Sequence, residues 1–155
     1  MKYELIKIDE LSGNKASIYS VIIDEDDSSL FEKFIDENID LHLSEINNIT
    51  QRLKTIGSKI NEGNPGDGVS ALYDDPDKNL RLYCIRYGTM IIVLGGGGPK
   101  PKDIRALQES EKLTEENYLL RAISQKITEK ITDKDIRLSS YTNDFEGELS
   151  FEIDY

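Results

Sequence analysis

The sequence predicts an α+β fold in which an antiparallel sheet is packed by a helical hairpin and extended by a C-terminal helix and strands. Short, alternating apolar segments occur near the N-terminus and between residues 69 and 94. Between them, over residues 29–60, apolar residues recur every three or four positions, as on helices that pack on one face. At 155 residues, the chain is long enough for a real core, and we predict a single domain over residues 1–155.

The first two strands are predicted at residues 2–8 and 16–23, on either side of a turn at Ser12, Gly13 and Asn14. Residues 24–27 are all acidic, and we interpret them as a solvated loop. They lack the glycine and the downstream glutamate of a calcium-binding loop.

The helical hairpin is predicted to begin at Ser29, because Ser29 and Glu32 have the spacing of a capping box. The apolar stripe of the first helix contains Leu30, Phe31, Phe34 and Ile35. That of the second contains Leu43, Ile46, Ile49, Leu53, Ile56 and Ile60. His42 lies between two leucines and is interpreted as a partly exposed helix residue.

Three strands are predicted after the turn-rich residues 61–68, at residues 69–73, 80–87 and 90–94. Gly88 and Thr89 alone separate the last two, which is typical of a tight hairpin. The following sequence, GGGGPKPK, matches neither the phosphate-binding loop nor the dinucleotide-binding fingerprint. We therefore predict that it is a flexible exit from the strand.

The C-terminal extension is predicted to contain one helix and one or two further strands. Thr114 is the predicted N-cap of the helix, with Leu113 and Tyr118 at the spacing of a hydrophobic staple. The strands are predicted at residues 136–141 and 148–153.

Composition limits the classes of function. The net charge is −11, but residues 50–105 carry 9 Lys and Arg against 6 Asp and Glu, so only the middle of the chain is basic. No apolar run approaches the roughly 20 residues of a membrane span, and the N-terminus does not have the pattern of a signal peptide. One cysteine, Cys84, excludes an internal disulfide and fits a cytoplasmic protein. One histidine and one cysteine argue against a zinc site.

On the central strand of the meander, alternation predicts two faces. We expect Leu80, Leu82 and Cys84 to pack against the helical hairpin. The opposite face carries Arg81, Tyr83, Ile85 and Tyr87, which is a cation and two phenols without an acidic neighbour on the strand.

The order of strand, helical hairpin and three-strand meander resembles the RelE/ParE-like toxin superfamily, which includes HigB-like and phage-derived proteins. The resemblance covers roughly residues 28–105 and depends on the strand sequence RLYCI from Arg81, the turn at Gly88 and Thr89, the apolar strand, and the exit with Lys100 and Lys102. Residues 106–155 would be an addition to this core.

The resemblance implies a toxin of a toxin–antitoxin pair that cleaves messenger RNA on the ribosome without a metal or other cofactor. It assigns the catalytic roles to Arg81 and Tyr83, and substrate binding to Tyr87, Arg86, Lys100 and Lys102. Arginine suits phosphate because its planar guanidinium forms paired hydrogen bonds, lysine would position phosphate, and a tyrosine ring would stack on a base. The implied partners are an antitoxin protein, messenger RNA and the ribosome.

The alternative is a non-catalytic relative that retains the fold as an interaction module. It would be dimeric or covered by its own acidic extension. This chain differs from such toxins in being strongly acidic and about fifty residues longer, and no general base is evident on the predicted face. A third hypothesis is a toxin directed at DNA gyrase, which requires only protein contacts.

Overall fold

The computed structural model describes residues 1–58, 68–72, 76–88, 91–101, 110–139 and 141–154. Within these ranges the fold is α+β, with two helices and a mostly antiparallel sheet of six strands. The strands of this sheet are β1 (Lys2–Lys7), β2 (Ser17–Ile23), β3 (Val69–Leu72), β4 (Leu80–Tyr87), β5 (Ile91–Pro99) and β8 (Ser150–Glu152). They lie in the order β3-β4-β5-β2-β1-β8.

The predicted meander is confirmed, since β4 pairs with both β3 and β5 in antiparallel register. The predicted N-terminal pair, β1 and β2, is antiparallel as well. The two halves of the sheet meet through one parallel pair, β2 and β5. In the C-terminal region, the two predicted strands are replaced by three shorter ones. β6 (Ile136–Leu138) and β7 (Phe145–Gly147) form a separate hairpin, and β8 joins the main sheet beside β1.

Helix α1 (Leu30–Ser58) begins with the predicted capping box. The Glu32 amide donates to Ser29 Oγ at 3.2 Å, and the Ser29 amide donates to Glu32 Oε1 at 3.2 Å. The helix is interrupted at His42, where φ is −135° and ψ is 39°. The predicted pair of helices is thus two segments that meet at His42 without a loop, and Leu41 and Leu43 on either side are exposed.

Helix α2 (Glu111–Thr132) begins four residues before the predicted start. Its N-cap is Ser110, whose hydroxyl accepts a hydrogen bond from the Leu113 amide at 3.2 Å. The predicted N-cap, Thr114, lies inside the helix. The predicted staple is wrong as well, because Leu113 is fully buried whereas Tyr118 is 58% exposed.

Each face of the sheet has its own apolar core. On the first face, Leu80, Leu82 and Cys84 pack with Phe34 and Leu53 of α1, as the alternation of β4 predicts. On the second face, Tyr83, Ile85 and Tyr87 of β4 pack with α2 and the C-terminal strands through Leu113, Leu120, Ile123, Ile127, Phe145 and Phe151. The sheet therefore lies between α1 and α2.

The glycine run is part of the sheet. β5 continues to Pro99, and residues 91–98 are all buried. The prediction of a flexible exit after residue 94 is therefore wrong. The glycines stay in the buried strand because α2 covers this part of it. Over the described ranges, no helix has the length and apolar character needed to cross a membrane.

Candidate functional site

The face of β4 that the sequence predicts as the site lies beneath α2. Tyr83 and Tyr87 are only 3% and 7% exposed and belong to the same apolar cluster as Leu120 and Ile123 of α2. Their phenol oxygens are buried. The Tyr87 ring meets the ring of Phe145 edge to face, with centroids 5.4 Å apart. Neither tyrosine can stack on a base while α2 stays in this position.

The side chain of Arg81 projects from the same face of the sheet as those of the two tyrosines. Its partner across the strand pair is Gly98 of β5, whose missing side chain would point at Lys112 of α2. Directly opposed residues of an antiparallel pair project to the same side. Arg81 is half-buried, and its Nε is fully buried.

Arg86 lies on the opposite face, two residues from Cys84. Burial raises the pKa of the Cys84 thiol, and a hydrogen bond with Ser70 and the charge of Arg86 partly counteract this effect. The distance between Ser70 Oγ and Cys84 Sγ is 3.7 Å. The sheet therefore separates Arg86 from Arg81, and the two cations do not form one site.

Lys100 follows the end of β5 and is half-buried. Its amide donates to the carbonyl oxygen of Asn79 at 2.7 Å. This bond continues the pairing of β4 with β5, so Lys100 lies at the same end of the strand pair as Arg81. The predicted binding residue Lys102 lies outside the described residues.

Three of the four glycines, Gly95, Gly96 and Gly98, provide the surface on which α2 packs. The register of β4 and β5 shifts between Leu82 and Cys84, so Tyr83 is opposite both Gly95 and Gly96. A Cβ built at Gly95 would be 2.7 Å from Leu120 Cδ2, and one at Gly96 would overlap the carboxylate of Glu116. One turn of α2 separates Leu120 from Glu116, and the side chain facing Gly98 is one turn further back.

Glu116 is the polar residue on this face that sequence reasoning missed. Its side chain is 15% exposed, and its Oε1 accepts a hydrogen bond from Lys112 Nζ at 2.9 Å. Burial lowers the pKa of Lys112, but the contact with Glu116 and the charge of Glu37 of α1 outweigh burial and raise it. The sequence contains one indication of this role, which is that Lys112, Glu116 and Leu120 are spaced four residues apart and so lie on one face of a helix. That these three residues face the glycines becomes evident only when α2 is placed on β5.

Taken together, the predicted residues that the structure describes do not form an open site. Arg81, Tyr83 and Tyr87 share a face that α2 covers, Arg86 is on the other face, and Lys100 is at the end of the strand. Over the described ranges, no group of three or more His, Cys, Asp and Glu residues is arranged to hold a metal ion. No protein-family model matches the chain, and searches of curated proteins and of solved structures find no significant match.

Proposed function

We propose that this chain is a non-catalytic protein-interaction module with a RelE/ParE-like fold, in which the C-terminal extension covers the face that would otherwise be a nuclease site. The burial of Tyr83 and Tyr87 beneath α2 is the observation that carries the proposal. The rings make up part of a continuous apolar cluster with Leu120 and Ile123, so exposing them would also expose the core. Burying side chains of this size contributes about 1.5–3 kcal/mol each.

The charge of the covering segment agrees with this role. Residues 106–155 carry 6 Lys and Arg against 12 Asp and Glu. An acidic layer over the face of β4 that carries Arg81 repels nucleic acid at long range. We propose the cytoplasm as the compartment, because the chain has a single cysteine, Cys84, and it is free and buried.

The second candidate is the messenger-RNA-cleaving toxin with an antitoxin partner. It is favoured by the position of Arg81 and Lys100 at one end of the β4–β5 pair, where both could contact one RNA backbone. In this case α2 would have to leave the sheet before Tyr83 and Tyr87 could reach a base. The toxin would thus be inactive in the arrangement described.

The test is controlled induction of the full chain in a bacterial host, with growth recorded and messenger RNA ends mapped. The proposal predicts normal growth and intact messages at high soluble expression. Arg81→Ala is run beside the wild type, and Arg81→Lys keeps the charge in case the alanine variant does not fold. Growth arrest with new RNA ends that both variants lose would overturn the proposal in favour of the toxin.

A further inference from the structure

The outer strand β8 offers an open hydrogen-bonding edge. β8 pairs with β1 on one side, and within the described ranges no strand pairs with its other side. The Leu5 amide donates to Leu149 O at 2.8 Å, and the Ile153 amide donates to Met1 O at 3.0 Å. In an antiparallel pair, alternate residues direct their backbone groups toward and away from the partner strand. The N–H and C=O groups of Ser150 and Glu152 therefore point outward.

The pairing on the far side of β1 confirms this alternation. Lys2 is opposite Glu152, and its own backbone groups point the other way. Its amide donates to Asp24 Oδ1 at 2.8 Å, and its carbonyl oxygen accepts from the Asp24 amide at 2.8 Å. The register is therefore fixed on both sides of β1, and the outward direction at Glu152 follows from it.

A cleft of about 810 Å³ lies beside this edge. One wall is formed by a stripe of α2 that includes Ala122, Gln125, Lys126 and Glu129, and by Asp133, which caps the C-terminus of the helix. The other wall is formed by Glu152 of β8 and by Ile153 and Asp154, which follow it. An extended segment added to β8 would therefore lie along α2 and contact both walls.

The side chains that line the cleft carry a net negative charge, with Glu129, Asp133, Glu152 and Asp154 against Lys126. Lys126 Nζ is 3.6 Å from Glu129 Oε2, so these two charges offset one another. Asp133, Glu152 and Asp154 are all exposed and make no direct ion pair with any residue that the structure describes, although the charge of Asp133 acts on Lys130. The cleft thus has carboxylates available for cationic side chains, along the same edge that offers backbone hydrogen bonds.

We propose that β8 is a docking edge for a cationic, extended segment of a partner protein, which adds to the sheet as a further strand and places its basic side chains against Asp133, Glu152 and Asp154. This inference rests on the proposed interaction role, and it defines the partner by its positive charge and extended backbone. Backbone hydrogen bonds to Ser150 and Glu152 provide the affinity, and the carboxylates of the cleft select the charge of the segment.

The same charges disfavour a second copy of the chain as the occupant. Pairing β8 with its copy would bring Glu152 and Asp154 of both chains to one seam. Like charges opposite one another in a sheet are destabilising, and charged side chains on an outer strand prevent self-pairing. A cationic strand converts this repulsion into attraction.

The experiment measures binding of a synthetic peptide of alternating lysine and valine to the full chain by isothermal titration calorimetry. The matched peptide of alternating glutamate and valine is the charge control. We expect binding of the lysine peptide only, with affinity falling as salt increases.

Glu152→Pro removes one outward N–H and leaves the bonds to β1 in place. It should weaken binding by about tenfold or more, whereas Glu152→Gln, which keeps the N–H, should weaken it less.

Asp154→Lys provides a second variant in case Glu152→Pro does not fold, and it should weaken binding through charge alone. Equal binding by the wild type and a folded Glu152→Pro protein would overturn the proposal, as would binding of a lysine peptide with N-methylated backbone amides. A dimer that is detected by sedimentation and lost in Glu152→Pro would make a second copy the occupant and would overturn it too. Growth arrest on induction bears on the proposed function alone, so the two failures are distinguishable.

Discussion

Gly97 of β5 lies so close to β4 that a Cβ at this position would overlap the carbonyl oxygen of Arg81. This contact is between two backbones, so no side chain can move away to relieve it. Its neighbour Gly98 differs, because a Cβ there would meet only Lys112 Cγ at 3.3 Å. Two adjacent glycines in one strand therefore have different reasons to lack a side chain.

The first prediction compares alanine at these two positions. Gly97→Ala should destabilise the protein by about 3 kcal/mol or more, because it forces β4 and β5 apart. Gly98→Ala should change the free energy of unfolding by less than about 1 kcal/mol, since the aliphatic part of Lys112 can shift. Denaturant unfolding of both variants measures the difference. Equal stability of the two variants would contradict the close approach of the strands.

The second prediction concerns Glu45, which joins α1 to the start of β4. Its Oε1 accepts hydrogen bonds from the amides of Asn79 at 2.9 Å and Leu80 at 3.2 Å, and its Oε2 accepts one from Asn79 Nδ2 at 2.9 Å. Burial raises the pKa of Glu45, but these hydrogen bonds and the charge of His42 outweigh burial and hold the pKa below its ordinary value.

A carboxyl group with a depressed folded-state pKa contributes stability above its unfolded pKa of about 4.3 and loses it as pH falls through the folded value. Glu45→Gln should therefore cost about 1–3 kcal/mol at pH 7. The difference from the wild type should shrink as the pH falls below about 4. Glu115→Gln, at an exposed position of α2, is the control and should have little effect at any pH. A Glu45→Gln deficit that is constant from pH 7 to pH 3 would refute the role of ionisation.

The third prediction concerns Asp144, which holds the β6–β7 hairpin against the main sheet. Its carboxylate accepts a hydrogen bond from Ser17 Oγ at 2.6 Å and lies 3.0 Å from Lys7 Nζ. Asp144→Asn should weaken this attachment by about 1–2 kcal/mol. Hydrogen exchange should show the loss at the Ser139 amide, which bonds to the Asp144 carbonyl oxygen within the hairpin. The exposed Glu146→Gln is the matched control. Unchanged exchange in Asp144→Asn would show that the apolar contacts alone hold the hairpin.

Much of the fold could be predicted because local patterns specify it. Leu80–Tyr87 has the predicted bounds, and its alternation assigned Leu82 and Tyr83 to opposite faces correctly. The capping box at Ser29 was identified by spacing because it depends on residues three positions apart. These features need no knowledge of distant parts of the chain.

The remaining features depend on contacts between distant elements. The glycine run belongs to β5 because α2, which lies after it in the sequence, packs on it. The parallel pairing of β2 with β5 joins segments about seventy residues apart, and no local pattern indicates it. The predicted site was placed on a face that alternation identified correctly, but the burial of Tyr83 depends on where α2 lies, which periodicity alone does not determine.

The fourth prediction tests whether α2 must stay on the sheet for function. A Cβ built at Gly98 lies 3.3 Å from Lys112 Cγ, the atom whose place the sulfur of a cysteine at position 112 would take, so cysteines at both positions are near enough to be joined. The bond in Gly98→Cys/Lys112→Cys should stabilise the oxidised protein by up to about 3 kcal/mol over its reduced form, by closing a loop of about fifteen residues. If the covered face is the functional arrangement, oxidised and reduced protein should bind the lysine–valine peptide equally and leave a messenger RNA substrate intact.

The serine pair Gly98→Ser/Lys112→Ser is the control, because it has similar side chains and cannot form the bond. The contrary outcome is RNA cleavage by the reduced protein that oxidation abolishes and that the serine pair retains. This result would mean that α2 leaves β5 in the active state, exposing Tyr83 and Tyr87, and that the C-terminal extension is a removable cover over a nuclease site. Because the disulfide acts only on the position of α2 and leaves Arg81 in place, the comparison separates movement of the helix from loss of the site.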